Sequence, residues 1–161
     1  LLPLVNLLEV ARMRAVVQRV SRAQVRVDAK VTGEVGTGLM VLVGVGVDDV
    51  ERDAEIMAEK IANLRIFQDD DGLMNRSVLD VNGGVLLISQ FTLHGDSRKG
   101  RRPSFITSAR EDAAKPLYER MGALLEQHGL PVGYGVFGAH MEVELVNDGP
   151  VTILLDTKKT F

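Results

Sequence analysis

Met141-Glu142-Val143-Glu144-Leu145-Val146, Asn147-Asp148-Gly149-Pro150-Val151-Thr152 and Ile153-Leu154-Leu155 run consecutively near the C-terminus. The outer two pieces read as strands, and the middle piece reads as a rigid turn between them. A hairpin that only has to reverse direction is well served by Asn-Gly or Asp-Gly. Here Gly149 is followed at once by Pro150, which removes a backbone donor, fixes φ and opens the way to a cis peptide bond. A turn stiffened in this way holds backbone carbonyls in a fixed place. It can recognise a small ligand without any reactive side chain.

Working outward, the rest of the chain is also rich in strands. Ala15 to Val20 is one strand, and Val25, Val27 and Val31 alternate with Arg26, Asp28 and Lys30, the period-two pattern of a half-buried hairpin. Leu39 to Val47 is apolar apart from its glycines and reads as a buried strand, as do Val85–Ser89 and Val132–Phe137. Two helices interrupt the strands. The first places Val50, Ala54, Met57, Ile61 and Leu64 at helical spacing, with Asp48 and Asp49 ahead of it as caps. The second runs from about Arg110 to His128 and is ended by Gly129-Leu130-Pro131. Asp69-Asp70-Asp71-Gly72 and Asn82-Gly83-Gly84 are turns. Without a regular strand-helix alternation, the pattern predicts an α+β fold: curled or doubled, barrel-like β-sheets with two main helices packed outside, in a single domain.

Composition narrows the function classes. The chain has 161 residues, 45% of them hydrophobic, enough for one domain with a proper core. Cysteine is absent, so a thiol nucleophile, a disulfide framework and Cys-ligated zinc are excluded. This fits a cytoplasmic setting. The net charge of -3 does not announce a nucleic-acid binder, but Arg98, Lys99, Arg101 and Arg102 form a local basic cluster that can hold phosphate. Residues 1–12 are apolar, too short to span a membrane, and precede the first Met, Met13. They read as an extension left by expression or by start-site assignment, the alternative being an extra segment packed on the surface, with the functional domain at residues 13–161.

Two familiar motifs fail on inspection. Gly44-Val45-Gly46 lies between a strand and a helix, as a dinucleotide turn does. However, Asp49 stands in place of the third glycine, and Asp48, Asp49 and Glu51 crowd the helix start where a pyrophosphate would sit. Asp69-Asp70-Asp71-Gly72 lacks the alternating ligands and the twelfth-position Glu of a calcium loop. His94, His128 and His140 show no metal-ligand spacing, so no metal and no cofactor are expected. Ser89, His94 and Asp96 invite a triad reading, but there is no Gly-x-Ser-x-Gly elbow around Ser89.

Ser89-Gln90-Phe91-Thr92-Leu93 carries more weight. It sets two hydroxyls and an amide at the end of an apolar strand. Continued alternation predicts Ser89, Phe91 and Leu93 on one face, with Gln90 and Thr92 on the other. The basic cluster and Pro103-Ser104-Phe105 follow. A polar pocket beside cations and an aromatic suits a nucleotide end with its phosphate tail.

These segments resemble the D-aminoacyl-tRNA deacylase family of bacteria and eukaryotes. Met13-Arg14-Ala15-Val16-Val17-Gln18-Arg19-Val20 is similar to that family's N-terminus. Ser89-Gln90-Phe91-Thr92-Leu93 and Asn147-Asp148-Gly149-Pro150-Val151-Thr152 match its two signatures in order. Arg98–Phe105 and Phe137-Gly138-Ala139 also look like family segments, and the resemblance covers roughly residues 13 to 157.

The resemblance implies hydrolysis of the ester between a D-amino acid and the 3′ end of tRNA, with mischarged glycyl-tRNA also accepted. It implies a cytoplasmic homodimer with active sites at the subunit interface and no membrane association. Ser89, Gln90, Phe91, Thr92 and Thr152 are the implied catalytic set. Gly149, Pro150, Asn147, Val151, Phe137, Met141 and Arg19 are the implied substrate-binding set. Within it, a cis Gly149-Pro150 unit reaches into the partner's site as a chiral gate, and Arg19 holds the partner's unit in place. Arg98, Lys99, Arg101, Arg102 and Phe105 are the implied tRNA contacts.

Two catalytic agents remain open. Thr92 or Thr152 could attack, although neither has an evident base. Alternatively, main-chain amides near Phe91 and Thr92 polarise the carbonyl while the ribose hydroxyl helps activate water. Two other functions are also compatible with the residues. An esterase or amidase of free small molecules, acting through Ser89 or a threonine, would be insensitive to neutralising Arg98–Arg102. A non-catalytic RNA-binding module would release no amino acid.

Overall fold

The computed structural model describes residues 12–161, so the expectation for the apolar extension falls, apart from Arg12, outside the described residues. Among the described residues, eight strands and two α-helices occur in the order β1 (Arg14–Val27), β2 (Lys30–Val35), β3 (Gly38–Gly44), α1 (Glu51–Asn63), β4 (Phe67–Gln68), β5 (Met74–Arg76), β6 (Gly84–Ser89), α2 (Glu111–Gln127), β7 (Val132–Tyr134) and β8 (Glu142–Asp156). A 3₁₀ turn, Phe91–His94, follows β6. This is the expected α+β architecture.

Six strands make one sheet in the order β2-β1-β3-β6-β7, with β8 lying along β1. The pairs β3–β6 and β6–β7 are parallel. Each parallel pair needs a long crossover, which α1 and α2 supply. The sheet curls until its ends nearly meet, where the Thr32 hydroxyl at one end donates to the Tyr134 carbonyl at the other (3.2 Å). The result is a nearly closed, barrel-like sheet. β4 and β5 form a separate small hairpin.

β1 binds this arrangement together. Ala15 and Val17 point to the core shared with the helices, whereas Val20, Ala23 and Val25 point into the barrel interior. The switch of face occurs where its register against β8 shifts, between Gln18 and Arg22. A one-residue offset in a period-two strand turns every later side chain over. β3 and β6, lying between the two cores, need no such switch. Their alternate residues feed each side, with Leu39, Val41, Val85 and Leu87 on the helix side and Met40, Leu86 and Ile88 inside the barrel. On the helices, Met57 and Ile61 of α1 and Met121 and Leu125 of α2 are fully buried. Truncating any one of them to Ala costs about 2–5 kcal/mol.

Three expectations need correction. The run from Met141 to Leu155 is not a hairpin. Residues on both sides of the Gly-Pro unit pair with the same strand, Asn147 with Val20 and Thr152 with Gln18, so the chain never reverses. Residues 148–151 are instead a bulge extruded from one long strand opposite Arg19. At α1, the cap comes from within the helix, because the Asp53 carboxylate accepts the Val50 N–H (2.9 Å) while Asp49 turns back to the Gly46 N–H (2.7 Å). The 85–89 strand ends at Ser89 and gives way to the 3₁₀ turn, so the expected alternation stops before Gln90.

Candidate functional site

A cavity of about 400 Å³ opens beside the C-terminal end of β6, within the range of small-molecule sites. Ser89, Gln90 and Phe91 form one side, Ser108, Glu111 and Tyr118 a second, and Phe137, His140 and Met141 a third. Val43, Val45, Ile88 and Val143 supply apolar lining between them. β6 ends at Ser89, and loops from other elements close over its carboxyl end. Here the closing segments are 107–109, tied to 45–47 by backbone bonds (Val47 N–H to Thr107 O, 2.8 Å; Ala109 N–H to Val45 O, 3.0 Å), and the loop after β7.

Tyr118 fixes the floor. Its hydroxyl donates to the Leu87 carbonyl (2.8 Å), and burial pushes its pKa up to about 12, so the phenol stays a neutral donor. Phe137 packs on its ring with centroids 5.6 Å apart. The sequence reading missed Tyr118 because it lies on the apolar face of α2 with Met121 and Leu125, where an aromatic reads as core. The signal available was its hydroxyl, which needs a partner when buried. Ser108, Glu111 and His140 carried no pattern that would have singled them out.

The 3₁₀ turn is seated tightly on β3. A Cβ on Gly44 would stand 2.8 Å from the Gln90 carbonyl oxygen and 3.1 Å from the Leu93 Cβ, so glycine is required for this close approach. His94 is buried, and its Nε2–H donates to the Gly44 carbonyl (3.1 Å). Among the described residues, its Nδ1 has no hydrogen-bond partner. Desolvation holds its pKa below the usual histidine value. Asp96 bonds Arg98 through both carboxylate oxygens (2.9 and 2.8 Å). Neither residue is turned to serve Ser89, and the triad reading ends there. Gln90 Nε2 donates to the Thr92 hydroxyl.

The sequence-selected residues fall into three groups. Ser89, Gln90, Phe91, Phe137 and Met141 line the cavity. Thr92 lies on the adjoining turn, exposed, and not in that lining.

The second group is the bulge. Gly149 has φ +134° and its bond to Pro150 is cis, as the resemblance implies. Asn147 holds the loop across its base: its Oδ1 accepts the Val151 N–H (2.9 Å) and its Nδ2 donates to the Thr152 hydroxyl (3.1 Å). Arg19, 8% exposed, donates from Nε to the Asp148 carbonyl (3.0 Å) and from a terminal nitrogen to the Ile66 carbonyl (2.7 Å). Arg19 therefore grips the bulge of its own chain, because β1 and β8 are neighbours and Arg19 faces the extruded residues. None of residues 147–152 lines the cavity.

The third group is the basic loop. Lys99, Arg101 and Arg102 are exposed, and the loop is pinched shut by paired backbone bonds between Asp96 and Ser104 (both 2.8 Å). Phe105 meets Phe91 edge to face at 5.2 Å, so the loop abuts the cavity mouth. Among the described residues, no group of three or more His, Asp or Glu is placed to hold a metal ion, and no helix is long and apolar enough to cross a membrane.

The chain is thus a barrel-like α+β protein with a cavity at one parallel strand's carboxyl end, a fold that does not by itself define a function. Comparison with known proteins supplies the chemistry. The chain belongs to the D-Tyr-tRNA(Tyr) deacylase family, whose model matches residues 16–156, and is thus a hydrolase of aminoacyl-tRNA esters. It is 60% identical to the D-aminoacyl-tRNA deacylase of Thermotoga petrophila over 149 residues, covering 92% of this chain and 100% of the relative. The enzyme of the same name from Thermus aquaticus is 54% identical over 147 residues, covering 91% and 97%. Among solved structures, the c-Myc DNA Unwinding Element Binding Protein superposes with a TM-score of 0.83 at 39% identity, covering 88% of this chain and 97% of that one. A probable eukaryotic D-amino acid tRNA deacylase has a TM-score of 0.77 at 19% identity, covering 89% and 98%, a likeness of fold.

Proposed function

We propose that this deacylase tells D from L amino acids with the backbone of Gly149-Pro150, and that it works as a cytoplasmic homodimer in which that unit enters the partner's cavity. The observation that carries this reading is the bulge itself. It is exposed, stands out from a strand paired on one side only, and is held from beneath by Arg19 and Asn147. Yet it is absent from the lining of its own cavity. A second copy brings bulge and cavity together.

Favourable contact discriminates a methylene-sized difference by only about 1–3 kcal/mol. Strict handedness therefore calls for a wall that clashes with the wrong substituent. A loop held at both ends can be that wall, and its carbonyls can accept bonds from the substrate ammonium. Glycine has nothing to clash, so mischarged glycyl-tRNA is hydrolysed too. The 3′ end enters between the basic loop, where Lys99, Arg101 and Arg102 meet phosphate, and the Phe91–Phe105 pair.

In this reading, main-chain amides near Phe91 and Thr92 stabilise the oxyanion, Ser89 and Gln90 position the substrate, and the ribose hydroxyl helps activate water. No threonine attacks. The Thr92 hydroxyl already accepts from Gln90, and the Thr152 hydroxyl accepts from Asn147 and Gln18. No histidine or carboxylate stands beside either among these bonds.

The test pairs D- and L-aminoacyl-tRNA of the same amino acid and follows amino-acid release. The D-ester and glycyl-tRNA are cleared while the L-ester persists. Equal rates on D and L would remove the gate. Thr92→Ala and Thr152→Ala each keep turnover within about tenfold, since general-base or nucleophile loss costs about 10²–10⁴-fold. Abolition in either folded variant would restore the hydroxyl mechanism.

A further inference from the structure

The 3₁₀ turn Phe91–His94 is anchored from two sides, and only one anchor belongs to the turn. His94 reaches down to the Gly44 carbonyl. The other anchor comes from Arg14, the first residue of β1, whose NH1 donates to the Leu93 carbonyl (3.1 Å). The same guanidinium donates from Nε to Asp156 Oδ2 (3.2 Å), and its plane lies over the Phe161 ring, 5.1 Å from the centroid.

Asp156 is the hub of the C-terminal tail. Its side chain is fully buried, and it accepts the Lys158 N–H (2.6 Å) and the Thr160 hydroxyl (2.6 Å) besides Arg14. Thr157 adds a bond from its backbone to the Met13 carbonyl (3.0 Å) and one from its hydroxyl to Asp53 of α1 (2.7 Å). The tail thus closes over the start of β1 and leaves Arg14 little freedom.

We infer that Arg14 is a positioning residue for the reaction: held by Asp156 and Phe161, it fixes the turn from which Phe91 and Thr92 present their amides. The inference rests on the reading, given above, that this turn is the reacting edge of the site. Arg14 lines no part of the cavity and acts only through Leu93. Its planar fork matters as well as its charge, because one guanidinium must donate in two directions at once, to a carboxylate and to a carbonyl. A lysine can keep the charge beside Asp156 but cannot serve both. With Leu93 released, the turn keeps His94 and its seat on Gly44 but gains freedom to tilt. Misplacement of about 1 Å at a reacting edge costs about 10²-fold, and that loss falls on kcat because the cavity that binds substrate is unchanged.

The experiment uses the full chain and D-aminoacyl-tRNA. Arg14→Lys is compared with wild type for Tm, kcat and KM, and Asp156→Asn is measured beside it. In a third protein the residue at Thr92 is replaced by its α-hydroxy acid, which turns the amide N–H into an ester oxygen. For Arg14→Lys the expected result is kcat lower by about 10–100-fold, KM within about twofold and folding retained. Asp156→Asn, which leaves Arg14 a neutral acceptor, falls between it and wild type. An Arg14→Lys protein that folds and keeps full kcat overturns the inference, as does a change confined to KM or to Tm. The ester variant separates the two layers. If it loses activity while Arg14→Lys does not, the turn is the reacting edge and only the role of Arg14 is wrong. If it keeps full kcat, the reading of the turn itself fails.

Discussion

The cavity and the bulge are made from contrasting parts of the same sheet. The cavity sits where β6 ends among crossovers, and its walls are mostly apolar side chains, with a few polar groups, supported by two cores. The bulge projects from β8, a strand paired on one side only, and it presents backbone rather than side chains. The cavity is fixed by packing, the bulge by three named bonds: one that Arg19, itself braced on the Ile66 carbonyl, donates to Asp148, and two that Asn147 makes with Val151 and Thr152. A concave, packed feature tolerates rearrangement of individual contacts. A convex loop held by three bonds has no such reserve. Substitutions at the two places should therefore fail differently, one by losing substrate and the other by losing discrimination.

The largest effect is expected from filling the cavity. Ala109 lines it, while its backbone N–H bonds Val45, so Ala109→Phe adds bulk without removing a structural bond. Deacylation of D-aminoacyl-tRNA should fall more than about 100-fold, the cost of losing oriented binding, with the far-ultraviolet circular dichroism spectrum unchanged. If turnover survives, substrate does not use this cavity, and the contrast between the two regions loses its functional meaning.

Loosening the bulge should act on selectivity first. Arg19→Lys retains a cation but cannot bridge the Asp148 and Ile66 carbonyls together. Turnover on the D-ester should drop by a few fold, while the D/L rate ratio falls about tenfold, equivalent to about 1.4 kcal/mol of lost discrimination. The measurement is amino-acid release from the two esters under identical conditions. A ratio that stays put while D-turnover collapses would make Arg19 part of the bulge's folding and not of its selectivity.

The two regions also differed in how far the sequence revealed them. Period-two and helical spacing gave the strands of the main sheet, both helices and the α+β class, because burial on one face leaves a direct record in residue order, whereas the short β4–β5 hairpin around the Asp69–Gly72 turn went unread. The ends of the strands were less legible. Ser89 continues an apolar run, and only the close seat on Gly44, a contact between residues far apart in sequence, turns the chain into a 3₁₀ helix there. The bulge misled for a related reason. Asn-Asp-Gly-Pro between two strand-like runs has the composition of a reversal, and whether the flanks pair with each other or both with β1 is a question of partner. Local propensity does not encode partners. The cavity's far walls, Tyr118 and Glu111 on α2 and His140 in the loop after β7, were hidden in the same way.

A last contrast lies in charge, and it predicts the smallest effect on turnover. Behind the cavity wall, in the segment that Gly46 bridges to Ser108, the Asp49 carboxylate is buried and accepts the Gly46 N–H through one oxygen (2.7 Å). Burial, with some repulsion from Asp53, pushes its pKa from 3.8 up to about 7, against the pull of the Gly46 and Met13 amides and Arg12. A folded-state value above the unfolded one means the native protein holds this proton more tightly. The stabilisation is complete below about pH 4 and is lost as pH rises through 7, by at most about 4 kcal/mol for this size of shift. Asn at this position keeps an oxygen for the Gly46 N–H and never ionises. Asp49→Asn should therefore match wild type in Tm near pH 4–5 and exceed it by several degrees at pH 8, with kcat within about twofold. Melting curves across that range check it. A Tm difference independent of pH would mean that Asp49 is ionised in the folded protein, and that the cavity's supporting segment carries a solvated charge as the bulge does.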